Sequence, residues 1–144
     1  MAFTGNFVCT SFKVELMTAT HNFTLSTGNT FNIALYDNSA SFTAATTAYT
    51  ATNEVSGTAY VAKGNTLVNV TPVSSSTTAY TDFGDSTWSS STITARGAMI
   101  FNDTASGDPS VVILDFGSDK SSSSGDFVVI FPTANSTSAI IRIA

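Results

Sequence analysis

Apolar residues alternate with polar ones along much of the chain, which is the pattern of β-strands with one buried face. In residues 30–36, for example, Phe31, Ile33 and Leu35 lie on one side of a predicted strand and Asn32 lies on the other. The same reasoning predicts strands at 78–83, 92–101, 111–116, 127–131 and 139–143, and a hairpin at 58–70 with its turn at Lys63-Gly64-Asn65.

Two of these segments, 111–116 and 127–131, are almost wholly apolar, which predicts strands at the centre of a packed core. Gly97 interrupts another predicted strand and indicates either a bulge or a close approach of the backbone. Serine-rich and aspartate-rich connections surround Trp88 and Pro109, and a serine tip lies at Ser121–Ser124 between the two apolar segments. These connections are predicted to be turns and loops.

One segment near the N-terminus has a helical period. In residues 11–21, Phe12, Leu16 and Ala19 are spaced by four and three, and Ser11 is a candidate N-cap. A β-bulged strand is the competing interpretation. The chain is therefore predicted to be mostly β. We expect a single domain over residues 1–144, an antiparallel β-sandwich or small barrel with one short N-terminal helix.

The composition changes this picture at the surface. Charged residues make up 10% of the 144-residue chain, while 24 threonines and 21 serines take their place. Hydroxyl groups are far less costly to dehydrate against a partner than unpaired charges are. The composition favours a protein that works in contact with other proteins, and an extracellular Ser/Thr-rich domain is the alternative.

The net charge of −5 and the scarcity of cations argue against nucleic-acid binding. A single cysteine, Cys9, argues against a disulfide framework and a thiolate metal site. We see neither a signal peptide nor an apolar run long enough for a membrane span. No partner of these two kinds, nucleic acid or membrane, is expected.

The sequence contains no catalytic constellation. His21 is the sole histidine and is interpreted as structural, because a catalytic histidine needs a nucleophile and an orienting group. The eight aspartates lie mainly in predicted turns, where Asp is a favoured residue. Calcium bound by turn aspartates is the weaker alternative, since their spacing matches no EF-hand loop. We expect no enzyme activity and no cofactor.

Two residues have both a structural and an interface interpretation. Arg96 lies mid-strand among apolar residues, so it must be paired if buried, with Asp82, Asp85 or Asp115 as partner. It could instead face a neighbouring subunit. Trp88, the sole tryptophan, is expected either to plug the end of the domain or to anchor an interface or sugar site.

Several stretches resemble a group of small tailed-bacteriophage virion proteins. They are WSSSTITARGAMIFND from Trp88 onward, VVILDFGSDKSSSSGDFVVIFP and the terminal AIIRIA, with MAF, SFKVEL, FNIALYD and YTATNEVSGTAY before them. The resemblance covers nearly the whole chain, and its motifs are structural. It implies a virion protein without catalytic residues, and some similar small β domains decorate or cement capsids.

Together these observations predict a capsid decoration or cement protein that binds the major capsid protein on the outside of the virion, assembles in the host cytoplasm, and forms a homo-oligomer, most simply a trimer. Residues 1–10 are a candidate extended docking arm. The predicted interface residues are Ala2, Phe3, Phe7, Phe12, Trp88, Arg96 and Ser122.

Two alternatives stay open. One is a tail, fibre or tail-tube component of the same particle. The other is a carbohydrate-binding surface module, which would need exposed aromatic side chains in a row. Tyr49, Tyr60, Tyr80 and Trp88 are the candidates.

Overall fold

The computed structural model describes residues 3–144, and its most buried part is the centre of a five-stranded antiparallel sheet. In chain order the elements are β1 (Phe7–Val8), α1 (Thr10–Met17), β2 (Phe31–Tyr36), β3 (Asn65–Thr66), β4 (Asn69–Ser75), β5 (Thr78–Phe83), β6 (Ser86–Ser91), β7 (Thr94–Asn102), β8 (Ser110–Ser121), β9 (Gly125–Val129) and β10 (Ile141–Ile143). Every residue of β2 is buried, as is all of β7 after its first residue.

The strands form three antiparallel sheets. The large sheet has the order β1-β8-β7-β2-β3, and the two small sheets have the orders β10-β5-β4 and β6-β9. These sheets do not close into a barrel. The prediction of a mostly β, sandwich-like domain with one short helix is therefore confirmed, and the barrel alternative does not apply.

Both faces of the large sheet are covered. On one face, Phe31 of β2 stacks on Phe23 at 4.4 Å and contacts Phe83 of β5 at 5.7 Å between ring centroids. On the other face, Tyr36 meets Phe42 edge to face at 4.8 Å. The sequence pattern predicted burial of one face of β2, and the polar face is buried too because the long loop after β2 folds back over it.

The helix is shorter than predicted. It runs over Thr10–Met17 instead of 11–21, and Cys9 is its N-cap without a side-chain cap hydrogen bond. Phe12 is its buried residue and packs on the rings of His21 and Phe23. Ala19, with φ of +58°, lies beyond the helix end in the left-handed region, so the apolar period continues past the point where the backbone turns away.

The candidate arm, residues 1–10, is not free where it is described. Phe7 and Val8 form β1, which pairs with Ile113 and Val112 of β8. Phe3 is fully buried and its ring lies against Gly97. Both predictions for Gly97 are confirmed, since a register shift lies next to it and an added Cβ would meet the Leu114 carbonyl and the Phe3 ring.

The hairpin predicted over 58–70 does not form. The turn is present, because the Gly64 N–H donates to the Val61 carbonyl at 2.9 Å. The residues after it, however, join β2, with Asn65 opposite Ile33. The residues before the turn do not pair with them as a strand, and the Tyr60 hydroxyl instead accepts a hydrogen bond from the Leu35 N–H at 2.8 Å.

Two segments differ from their predicted roles in the core. The serine-rich stretch around Trp88, predicted as a turn, is strand β6 and pairs with β9. Ser86 and Trp88 are buried and Thr87 between them is exposed, so the strand alternates in burial although all its residues except Trp88 are hydroxyl residues. In the segment 127–131, Phe127 and Val129 are buried but Val128 is exposed, so β9 is a two-faced strand rather than a central one.

Gly97→Ala is expected to destabilise the protein by about 1–3 kcal/mol, because the new methyl group overlaps the Leu114 carbonyl and the Phe3 ring. Urea unfolding followed by the fluorescence of Trp88, which is buried, measures this loss. Gly125→Ala in β9 is the matched control, since its nearest new neighbour would be the Ser123 carbonyl at 3.8 Å. Equal stability of the two variants would contradict the close approach at Gly97.

Candidate functional site

Most of the predicted interface aromatics lie inside the domain. Phe3, Phe12 and Trp88 are each at most 3% exposed, and Phe7 is half-buried in β1. Trp88 packs edge to face on Phe127 at 6.0 Å. In this conformation the rings of Phe3, Phe12 and Trp88 contact their own chain and are not presented to a partner. Ala2, also predicted as an interface residue, lies outside the described residues.

Arg96 is also turned inward. Its Nε donates to Asp115 Oδ1 at 3.1 Å, and both side chains are about nine-tenths buried. Asp115 is one of the three partners considered from the sequence. Its carboxylate also accepts from the N–H groups of Gly5 and Gly117, so the ion pair ties the N-terminal segment to β8. Together with the ion pair, these bonds lower the pKa of Asp115 below its ordinary value, the Gly117 N–H being the largest cause.

Ser122 is half-buried at the tip between β8 and β9. Its hydroxyl lies 2.7 Å from the Ser91 hydroxyl, and its N–H donates to the Ile93 carbonyl at 2.9 Å. The residue therefore holds the tip against the start of β7.

His21 is part of a buried hydrogen-bond network. Asn102 Oδ1 accepts from the N–H groups of Thr104 and Ala105, which orients its amide nitrogen towards His21 Nδ1 at 3.1 Å. Nδ1 is then an acceptor, and the proton sits on Nε2, which donates to Glu15 Oε2 at 2.7 Å. The ring therefore joins Glu15 of α1 to Asn102 at the end of β7.

The aspartates considered as calcium ligands each have other partners: some accept hydrogen bonds from backbone N–H groups and others form salt bridges. Asp82 accepts from the N–H groups of Phe83 and Ile140, and Asp85 accepts from Phe131. Asp103 and Asp108 both bind Lys63 Nζ, at 2.9 and 2.8 Å. Within residues 3–144, no three metal-ligating side chains lie close enough to hold an ion.

Sequence reasoning missed a cluster built around Glu54. Its carboxylate accepts from the Tyr49 hydroxyl at 2.6 Å, the Tyr60 hydroxyl at 2.8 Å and the Lys63 N–H at 2.7 Å. Burial and the neighbouring carboxylate raise the pKa of Tyr49 to about 12, so these phenols act as hydrogen-bond donors. The cluster pins the loop between β2 and β3 onto the sheet. Glutamate in a long polar loop gave no sequence signal for this role.

The four aromatic candidates for a sugar platform do not form a row. Trp88 is buried and stacks on Tyr60 at 6.0 Å, Tyr49 packs on Phe101 at 4.8 Å, and Tyr80 belongs to β5 in another sheet. The arrangement gives no support to the carbohydrate-binding alternative.

An open groove lies on the outer side of β8 and β9, and we call it the β9 groove. It consists of two adjoining parts of about 440 and 410 Å³, which share Phe116, Val129 and Ile130. Ile130 is 76% exposed and Val128 is 45% exposed. The sequence placed Ile130 in a buried run, so periodicity alone pointed away from this surface.

The groove exists because two consecutive strands do not pair. Only three residues, 122–124, join β8 to β9, a length that ordinarily gives a hairpin. Yet β9 pairs with β6, and β8 pairs with β7 and β1. A large bulge in β8 lies at this point. Ala95 is opposite Lys120 and Gly97 is opposite Asp115, so the four residues 116–119 of β8 stand opposite a single residue of β7, Arg96.

Comparison with known proteins adds no relative. No family model matches the chain, and neither the curated proteins nor the solved structures give a significant match. The described residues contain no helix with the length and hydropathy of a transmembrane span.

Tyr60→Phe is expected to lower the free energy of unfolding by about 1–3 kcal/mol, because it leaves the Leu35 N–H without its hydrogen-bond partner and removes one of the three donors to the Glu54 carboxylate. Tyr80→Phe, at a half-buried position of β5, makes the same chemical change and should have little effect. Urea unfolding of both variants checks this, and equal losses would argue against the Glu54 cluster as a stabilising unit.

Asp115→Asn is expected to destabilise the protein by about 3 kcal/mol near neutral pH, because Arg96 loses its buried carboxylate. Since the folded-state pKa of Asp115 is lowered, its contribution is present above the unfolded pKa of about 3.9 and is lost as the pH falls through the folded value. The gap between wild type and variant should therefore close below about pH 4. Urea unfolding across pH measures it, with exposed Asp119→Asn of the same strand as control.

Proposed function

We propose that this chain is a structural protein of a tailed-bacteriophage virion, a decoration or cement protein that binds the outer shell and stabilises contacts between major capsid protein subunits. The observation that carries the proposal is the β9 groove, where the exposed side chains of Val128 and Ile130 lie beside an edge of β9 that pairs with no other strand within residues 3–144. Exposed apolar surface of this kind is typical of protein–protein contact sites. The sequence resemblance to virion proteins supplies the biological setting.

The rest of the surface supports the same reading. The chain has ten acidic and five basic residues in 144, and the exposed positions of β4 and β6 carry mainly serine and threonine. Neutral hydroxyl-covered faces lose little when they are dehydrated against a partner, whereas unpaired charges lose much. A protein that spends its working life bound to a shell gains from such faces.

The polar clusters of the domain support a structural role as well. The networks around His21 and Asp115 join segments far apart in sequence, and the network around Glu54 holds one loop together. Networks of this kind rigidify a fold. A rigid module suits a cement protein, because a partner that is already ordered binds with a smaller entropy loss.

The proposal includes self-association, most simply as a trimer on a symmetry axis. A standard interface removes about 800 Å² from each partner. The chain has a surface of 6989 Å², so contacts with neighbouring copies and with the shell can both be accommodated.

Tag labelling of intact particles tests the proposal. An epitope inserted between Ser106 and Gly107, an exposed turn with open space around Gly107, should be recognised on purified virions by gold-conjugated antibody. We expect label spread evenly over the head. Particles lacking the protein should also release their DNA at a lower temperature than complete particles.

Label confined to the tail would contradict the decoration role and would favour a tail or fibre component. Absence of label from particles, when the same tagged protein is detected in the lysate, would contradict a virion role altogether.

A further inference from the structure

The edge of β9 that faces the groove has no strand partner among the described residues. The sheet β6-β9 contains two strands, and two-stranded sheets are marginal without a third strand or a packing partner. Consecutive residues of β9 and its continuation, 126–130, line the groove, so it runs along the backbone edge of the strand. An unpaired edge with free peptide groups is a template for an added strand.

The groove has an apolar strip formed by Phe116, Val129 and Ile130, with polar and charged residues around it. Phe116 from the β8 bulge lies in both parts of the groove, and Phe7 of edge strand β1 lines the far part. Ile130 stands between the two parts. An extended segment laid along β9 would direct every second side chain onto this strip, which is how strand addition combines backbone pairing with side-chain selection.

The charges at the groove select the chemistry of that segment. Lys120 lines one part and Arg142 lines the other, so two of the five cations of this acidic chain lie at the two ends. Asp115 is neutralised by Arg96, and the Asp126 carboxylate accepts from the Ser90 N–H at 3.2 Å. The groove is therefore lined by two cations, Lys120 and Arg142, and by one carboxylate, Asp126, that forms no salt bridge within residues 3–144.

We propose that the β9 groove binds an extended polypeptide segment of the shell protein by strand addition to β9, and that this segment carries apolar side chains at alternate positions with an acidic residue near each end. The inference rests on the proposed function, since it names the surface of this protein that would bind the shell protein. It commits to a segment of a different protein rather than to a second copy of this chain.

A designed peptide tests the inference on the isolated, full-length protein. The probe is a fluorescent nine-residue peptide of alternating valine and threonine with an aspartate at each end, and its pair carries lysine at each end. We expect the aspartate-ended peptide to bind roughly tenfold more tightly at low salt, with the difference shrinking as salt rises. Hydrogen exchange should show slower exchange in residues 125–130 when that peptide is bound.

Variants assign the binding to the groove. Ile130→Asp should abolish binding, whereas Val61→Asp, at a comparably exposed position of 74% outside the groove, should leave it unchanged. The double variant Lys120→Glu with Arg142→Glu should reverse the preference between the two peptides. Lys13→Glu, an exposed change on α1, is its control.

Equal binding of both peptides, binding that survives Ile130→Asp, or no protection of 125–130 would each overturn the inference. Protection that grows with protein concentration in the absence of peptide would assign the edge to a second copy and would also overturn it. Particle labelling is independent of these results: labelled heads without peptide binding would leave the proposed function standing and remove only this surface.

Discussion

Burial of both faces of β2 and β7 is the constraint on which the rest of the structure depends. A strand buried on both sides needs a cover on each, and this chain has one short helix in its described part to supply it. One face is covered by Phe83 of β5 and by Phe23, and the other by the loop between β2 and β3, whose Phe42 packs on Tyr36. That loop contains little regular structure, so its polar groups must be satisfied where it crosses the sheet. Glu54 meets this requirement by accepting from two tyrosines and a backbone N–H.

The same constraint explains the N-terminal segment. Gly97 leaves room beside β7 that the Phe3 ring occupies, and Asp115 holds the chain there through the Gly5 N–H while it pairs with Arg96. The bulge opposite Arg96 then carries Phe116 away from the β7 ladder. The β9 groove is thus a consequence of how the core is closed at Arg96, which links the packing of the domain to the surface proposed for binding.

A surface of this kind suits a protein that acts by adhesion. Its apolar residues lie beside free peptide edges, so a partner segment would gain both backbone pairing and apolar burial. The cations at its ends add selectivity more than affinity, because exposed ion pairs are individually weak. Elsewhere the exposed residues of β4 and β6 are mainly uncharged hydroxyl residues, so contact with a partner there would cost little in dehydration.

The sequence by itself determined the β class, the positions of most long strands, the short helix near Phe12 and the special environment of Gly97, because period-two patterns and a glycine within a strand reflect local geometry. It also narrowed the partner of Arg96 to three carboxylates. Only the tertiary structure decided that Trp88, Phe3 and Phe12 are buried, that residues 58–64 leave the ladder, and that Ile130 is exposed. These outcomes depend on which strands pair with each other. Pairing depends on contacts between residues distant in sequence, such as Tyr60 with Leu35 and Arg96 with Asp115. Such contacts produce no periodic pattern of apolar residues, so the sequence pattern does not reveal them.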